Sequence, residues 1–302
     1  MAETTEIICE TKGAAGLITL NRPQALNALT LEMVRAMRRA LDAWAEDPRV
    51  TRVVVTGAGE RAFCAGGDIR RLYDLGRAGR RDEALGFWRE EYALNVRIKR
   101  YPKPYIALID GIVMGGGVGV SLHGSHRVAG DRYVFAMPEV GIGFFPDVGA
   151  TYALPRLPGE AGLYLALTGE RARAADALAL GLATHAVPSG AFEDVQAALI
   201  AGEPVESVLA SASGDPGEAS LWRERDAVDS SFGAESVTAI LSRLDAAAEN
   251  GSAFGAKTAG VGTDAAVVGR RVSHFSHDAR LLLYRLDNQS QNQLPYHESD
   301  KS

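Results

Sequence analysis

Val50-Thr51-Arg52-Val53-Val54-Val55-Thr56, followed at once by Gly57-Ala58-Gly59, decides the fold class of this 302-residue chain. A β-branched run closed by a glycine turn predicts a strand buried on both faces. Just before it, Leu31, Val34, Met37, Leu41 and Trp44 recur at helical spacing, with Thr30 as candidate N-cap and Pro48 beyond the end. Further upstream, Ile7 to Cys9 and Ala15 to Leu20 read as two short strands around Lys12-Gly13, the second stopped by Asn21-Arg22-Pro23. Strand, helix, strand is the opening of an α/β crossover pattern.

The pattern continues downstream. Phe63 to Ile69 forms a glycine-bearing turn into a helix, residues 70–100 are mostly helical, and Pro102 and Pro104 end that helix. Tyr105 to Ile109 is a second buried strand, and Met114 to Gly119 leads into a helix through Leu122. Arg127 to Ala129 and Tyr133 to Ala136 are short strands, Thr151 to Thr168 and Ala172 to Leu180 are helices, and Ala183 to Val187 is the last strand. Composition then shifts: residues 201–218 are small, polar and Pro/Gly-bearing, a predicted connection. Glu235 to Asn250 is a helix with Val237, Ile240, Leu241 and Leu244 on one face. The division expected is a catalytic core over 1–190, a helical region over 191–260 and a divergent, poorly ordered tail over 261–302.

With 46% hydrophobic and 23% charged residues, the chain can bury a core of normal size. A net charge of -6 argues against a nucleic-acid partner, which calls for a basic face. Arg70, Arg71, Arg77, Arg80, Arg81, Arg97 and Arg100 could meet an anion, but read more simply as a solvated helix face. Two cysteines, Cys9 and Cys64, exclude a disulfide scaffold and a four-cysteine zinc site. No apolar run reaches membrane-spanning length and no secretory signal is visible, so no membrane partner and a cytoplasmic location are expected.

The chemistry centres on Phe135-Ala136-Met137-Pro138-Glu139 and on Gly141 to Gly149, which contains Phe144-Phe145-Pro146-Asp147. Two carboxylates, Glu139 and Asp147, stand among Gly, Pro, Phe and Met. Burial in such surroundings can bring a carboxyl pKa near the working pH, which suits proton transfer or nucleophilic attack. The plainer alternative is that Glu139 caps a turn and Asp147 caps the next helix. Two glycine turns, Gly66-Gly67 and Gly115-Gly116-Gly117, lie at strand-to-helix junctions, where backbone N–H groups can approach a ligand oxygen. Two such groups converging on one atom would form an oxyanion hole; alternatively the glycines only permit tight packing. Neither turn is a phosphate loop or a full dinucleotide fingerprint. Ser121 and His123 lack the Gly-x-Ser-x-Gly elbow of a serine hydrolase. His123 and His126 have a spacing possible for a metal pair but no supporting carboxylates, so no metal is expected, and His185 reads as structural.

Leu20-Asn21-Arg22-Pro23 with Leu26-Asn27-Ala28-Leu29, Phe63-Cys64-Ala65-Gly66-Gly67-Asp68, Pro102-Lys103-Pro104, Asp110-Gly111 and Gly115-Gly116-Gly117 together resemble the crotonase (enoyl-CoA hydratase/isomerase) superfamily. Within it, Glu90-Glu91-Tyr92, Leu94-Asn95, Met114 to Gly119 with His123-Gly124, and Met137-Pro138-Glu139 with Phe145 to Gly149 are most similar to the 3-hydroxyisobutyryl-CoA hydrolases. The resemblance implies an α/β fold of the crotonase type, a ββα superhelix spiralling through strand-strand-helix units, with a helical C-terminal part. It implies that the N–H groups of Gly67 and Gly116 hold a thioester oxygen, that Glu139 is the catalytic carboxylate, and that Asp147 binds the substrate hydroxyl or assists proton transfer. Glu91 would line the acyl pocket. Ala25, Leu26, Ala65, Gly66, Asp68 and Ile69 would hold the adenosine and pantetheine parts of coenzyme A, which is part of the substrate rather than a cofactor. Assembly into trimers or hexamers is also implied.

Hydratases of the superfamily carry a second glutamate where this chain has Gly119, so the resemblance favours hydrolysis of a small 3-hydroxyacyl-CoA, as in valine breakdown, over water addition. An enoyl-CoA isomerase or hydratase, and a coenzyme A-binding protein without catalysis, are the competing readings. From about Val261 the chain departs from the family.

Overall fold

Alternate residues of the central strands face two different apolar layers. In the computed structural model, which describes residues 5–252, 254, 255 and 258, Val53 and Val55 point into the larger layer and Val54 into the smaller. Tyr105, Ala107 and Ile109 likewise oppose Ile106 and Leu108. A strand covered on both sides has no polar face, hence its unbroken apolar sequence.

Among the described residues, ten strands form two sheets. The six-stranded sheet contains β1 (Ile7–Lys12), β2 (Ala15–Leu20), β3 (Arg52–Gly57), β5 (Tyr105–Ile109), β7 (His126–Ala129) and β10 (His185–Ala186), in the order β1-β2-β3-β5-β7-β10. β1 and β2 are an antiparallel hairpin with Ile7 opposite Leu20; the pairs from β2 to β10 are parallel. The four-stranded sheet contains β4 (Ala62–Cys64), β6 (Ile112–Met114), β8 (Val134–Ala136) and β9 (Ala172–Arg173), in that order. Successive strands alternate: β3, β5 and β7 lie in the first sheet, and β4, β6 and β8 in the second. Helical segments return the chain each time, which is the strand-strand-helix spiral expected for the crotonase type. The parallel pairs β4–β6 and β6–β8 bring three strand ends out at one end of the small sheet. Neighbouring ends are therefore about 4.8 Å apart.

Helix α1 (Leu31–Glu46) begins where the sequence places it: the Thr30 hydroxyl accepts from Met33 N–H at 3.3 Å. It buries Met33, Val34, Met37, Leu41 and Trp44, each stabilising by about 1.5–3 kcal/mol. The 70–100 region is two helices, α2 (Ile69–Arg77) and α3 (Arg81–Lys99). Its arginines are mostly exposed; Arg80 pairs with Glu83 and Arg97 with Asp42. α4 (Gly116–Gly119) follows β6, and turn bonds such as Leu122 N–H to Val118 C=O (2.8 Å) carry it through Leu122.

Three expectations need correction. Thr151 to Thr168 is not one helix but α5 (Ala150–Ala153), a 3₁₀ turn at Leu154–Arg156 and α6 (Ala161–Thr168). Pro155 and Pro158-Gly159 remove the N–H groups and conformations a continuous helix needs. Ala172 and Arg173 pair with β8 as β9 before α7 (Ala174–Ala179) begins. Residues 201–218 are not merely a connection. After α8 (Phe192–Ala201), α9 (Val205–Ala212) buries Val205, Val208 and Leu209 in the layer that covers Val54 and Ile106. Beyond these lie α10 (Ser220–Arg223), α11 (Arg225–Phe232) and α12 (Val237–Glu249), the last burying Ile240 and Leu244. The expected tail over 261–302 lies outside the described residues. Among the described residues, no helix is long and apolar enough to cross a membrane.

Candidate active site

The three strand ends of the small sheet carry the glycine turns and Glu139. After β4, the N–H of Ala65 donates to Leu26 C=O (3.0 Å), that of Leu29 to Gly66 C=O (2.8 Å) and that of Asp68 to Leu29 C=O (2.9 Å). This parallel bridge pins the turn and leaves Gly67 N–H outside its bonds. After β6, Gly115 adopts φ +47°, a conformation that side chains rarely take. Gly116 then opens α4, so its N–H has no partner within the helix. After β8, Glu139 begins a 3₁₀ turn.

The turns touch backbone to backbone. A Cβ on Gly117 would come 2.2 Å from the carbonyl oxygen of Cys64. One on Gly116 would come 3.1 Å from Gly67 N and 2.6 Å from Glu91 Oε1, and one on Gly115 would come 3.1 Å from Glu139 Oε1. The glycines are thus dictated by close approach, and the two turns, Glu91 and Glu139 share one small volume.

That volume opens into a cavity of about 760 Å³, a size suited to a cofactor-sized ligand. Its apolar wall includes Ile69, Leu72, Phe87, Trp88 and Phe144, with Trp88 and Phe144 stacked at 6.1 Å. Of the residues expected at a site, Ala65, Gly66, Gly67, Ile69, Glu91, Gly116, Glu139 and Asp147 line it. Asp68, Ala25 and Leu26 do not. Asp68 instead caps α2 by accepting from Arg71 N–H (3.1 Å) and pairs with Arg22 at 3.2 Å. Ala25 ends a 3₁₀ turn, and Leu26 and Asn27 follow in left-handed backbone. The Asn27 amide anchors this loop by donating to Ala58 and Ala62 carbonyls (2.9 and 2.8 Å).

Three carboxyls face the cavity, and burial shifts each upward. Glu91, 2% exposed, is pushed up to about 8, first by desolvation and then by Asp147 and Glu139. Glu139, 8% exposed, is pushed up to about 7, again by desolvation first, with Asp147 adding to it. Asp147 is raised by desolvation, opposed by the hydrogen bond it accepts from Tyr92 Oη at 2.7 Å. Glu91 Oε1 and Glu139 Oε2 are buried without a hydrogen-bond partner among the described residues. Burial thus favours the protonated form of Glu91 and brings Glu139 toward the neutral range.

Raising the Glu91 pKa in the folded state makes the fold bind a proton that the unfolded chain has lost. Its contribution to stability is therefore complete below the ordinary carboxyl range and is lost as pH rises through about 8. Glu91→Gln removes that penalty. Urea titrations should find the variant more stable than the parent by roughly 2–4 kcal/mol at pH 8, with little difference at pH 4.5.

The capping alternative for Asp147 fails: its side chain bonds to Tyr92, and the residue before α5 is Gly149. The serine and metal readings also separate. Ser121 Oγ donates to Gly117 C=O (2.8 Å), while His123 Nε2 bonds Val148 C=O (2.7 Å). His126 Nε2 faces Glu206 at 2.8 Å and its ring stacks on His185. Cys64, fully buried, has its thiol pushed up to about 12 by desolvation, which removes it as a nucleophile. Sequence reasoning missed Phe87, Trp88 and Tyr92. The signal available was an acid, Glu91, on the buried face of α3 between Phe87 and Asn95, one helical turn from each.

Gly119 explains the absent second glutamate in physical terms. A Cβ there would come 2.8 Å from Asn95 Nδ2 and 2.8 Å from Val148 Cβ, so no side chain fits without displacing both.

Known proteins share this architecture. The model of the enoyl-CoA hydratase/isomerase family matches residues 15–268. The chain is 49% identical over 262 residues to the Xenopus tropicalis protein "3-hydroxyisobutyryl-CoA hydrolase, mitochondrial", covering 83% of this chain and 67% of that protein. It is 47% identical to the Danio rerio protein of the same name over 84% of this chain and 68% of that one. The chain thus spans about two thirds of the length of both relatives. A crystal structure of a carnitinyl-CoA dehydratase from Mycobacterium thermoresistibile superposes with a TM-score of 0.80 at 41% identity, over 89% of this chain and 81% of that one. The chain belongs to the enoyl-CoA hydratase/isomerase family.

Proposed function

We propose that this chain is an acyl-CoA thioester hydrolase that converts 3-hydroxyisobutyryl-CoA and water to 3-hydroxyisobutyrate and coenzyme A, a step of valine breakdown. The observation that carries the reading is the meeting of Gly66-Gly67, Gly115-Gly116 and the Glu139 carboxyl at one cavity, with no room for a side chain at Gly119. The names of the relatives support the same substrate.

In this reading the thioester carbonyl oxygen accepts from the N–H groups of Gly67 and Gly116. These groups meet the negative charge that grows on oxygen as the carbon becomes tetrahedral. The Glu139 carboxylate either takes a proton from the attacking water or attacks the carbon itself, giving an anhydride that water opens. The C–S bond breaks, and the departing thiolate takes up a proton. Asp147 binds the substrate hydroxyl, and protonated Glu91 lines the acyl end. Ala65, Gly66 and Ile69 receive the pantetheine arm. Hydrolysis is redox-neutral and the charge is met by backbone dipoles, so no metal or redox cofactor takes part. A homo-oligomer is part of the proposal by family resemblance. So is a reducing, cytoplasmic compartment, in keeping with Cys9 and Cys64 both being free; the two relatives are named mitochondrial.

Free thiol appearing from 3-hydroxyisobutyryl-CoA, read with a thiol reagent, tests the proposal. Absorbance change on an enoyl-CoA without thiol release would indicate the isomerase or hydratase instead, and coenzyme A binding without turnover a binding protein. Because Glu139 works ionised and is held near 7, kcat/KM should fall about tenfold per pH unit below that value. A profile flat from pH 5 to 8 would assign the proton transfer elsewhere.

A further inference from the structure

Val148 is an isoleucine-like β-branched residue in a conformation such residues avoid. Its φ is +47°, and Gly149 follows at +84°. Left-handed backbone at a β-branched position persists only where surrounding contacts enforce it, and such strain collects at functional sites. Here it sits beside Asp147, whose side chain is buried in the cavity wall.

Two contacts from different elements enforce it. His123, in the turns after α4, reaches the Val148 carbonyl with Nε2 at 2.7 Å. A carbonyl only accepts, so Nε2 carries the hydrogen. The ring also fills the place of a side chain at Gly149, where a Cβ would come 2.5 Å from Cε1 and Nε2. From α3, the Tyr92 hydroxyl donates to Asp147 Oδ2 at 2.7 Å, leaving Oδ1 free of that contact. The Ala150 N–H, donating to Asp147 C=O at 2.7 Å, closes the turn.

We infer that Tyr92 and His123 form a two-point clamp that positions Asp147 for the reaction, Tyr92 through the carboxylate and His123 through the strained Val148 backbone. The inference rests on the hydrolase reading for what Asp147 does, but not for where it is held. Neither residue lines the cavity, so both are proposed as positioning residues. The groups facing Asp147 are Glu91 and Tyr92 on α3 and Glu139 on its 3₁₀ turn; Lys99 and Arg127 face His123. Burial lowers the His123 pKa, which keeps the imidazole neutral with one N–H to give.

The test compares the full chain with Tyr92→Phe, His123→Leu and His123→Gln. Leucine removes the donor, whereas glutamine restores an N–H at a similar reach. His123→Leu should lower kcat for thiol release about ten- to hundredfold with KM within about twofold, and His123→Gln should recover most of that loss. In Tyr92→Phe the Asp147 carboxyl, followed by carbon NMR of labelled aspartate, should titrate at higher pH, because the ionised form has lost a donor. Wild-type kcat in both Tyr92→Phe and His123→Leu, or equal losses in Leu and Gln, overturns the clamp. If His123→Leu does not fold, the partly exposed Tyr92→Phe site decides. Should the parent chain release no thiol, the hydrolase reading falls; the Asp147 titration then judges the clamp alone, an unmoved midpoint in Tyr92→Phe overturning it and an upward shift upholding it.

Discussion

Glu139→Gln is expected to lower thiol release from 3-hydroxyisobutyryl-CoA by about 10²–10⁴-fold. Glutamine keeps the shape of the side chain and a carbonyl oxygen near Gly115, but it can neither take a proton nor attack carbon. Substrate binding should change little, so the loss falls on kcat. The variant should also melt no lower than the parent at pH 8. Glu139 is buried and ionises only near pH 7, so the parent carries a desolvated charge that the amide lacks. Retention of full turnover by the amide would remove Glu139 from the chemistry.

Gly116→Ala should cost about 10²–10³-fold in kcat, the range seen when one oxyanion donor is misplaced. The added methyl meets Glu91 Oε1 at 2.6 Å and, more stubbornly, Gly67 N at 3.1 Å and Gly66 C at 3.2 Å. The carboxyl can swing aside, whereas the backbone turn is fixed by its bridge to Leu29. Relief therefore spreads the two turns and moves their N–H groups apart. Stability should fall by about 1–3 kcal/mol, as for other overpacked sites. A variant with unchanged kcat would show that the two N–H groups do not act together.

Much of this arrangement could be read along the chain. The valine run at 53–55 announces a strand covered on both faces, and Thr30 does cap its helix. The glycine turns and Glu139 are readable because each sits at the end of a strand, where local pattern and local structure coincide. What escaped reading depends on distant partners. Asp147 is readable as a site carboxylate, but its alternative as a helix cap is closed only by Tyr92, 55 residues earlier, which donates to its carboxylate. Asp68, expected near the ligand, lies off the cavity lining and is bonded to Arg22, 46 residues earlier, and to the α2 terminus. Residues 201–218 are poor in large apolar side chains, yet Val205, Val208 and Leu209 suffice for α9 because the sheet offers them an apolar face. No window of sequence contains that face.

The strand ends that would meet the carbonyl belong to one sheet, while Glu91, Trp88 and Phe87 come from α3, which shares no backbone ladder with it. On the proposed reading, cleaving the bond and reading the acyl tail therefore fall largely to different elements. Repainting α3 at Phe87 and Trp88, with Glu91 and Tyr92 left in place, should redirect the enzyme toward longer or less polar chains while its bond-breaking apparatus stays in register.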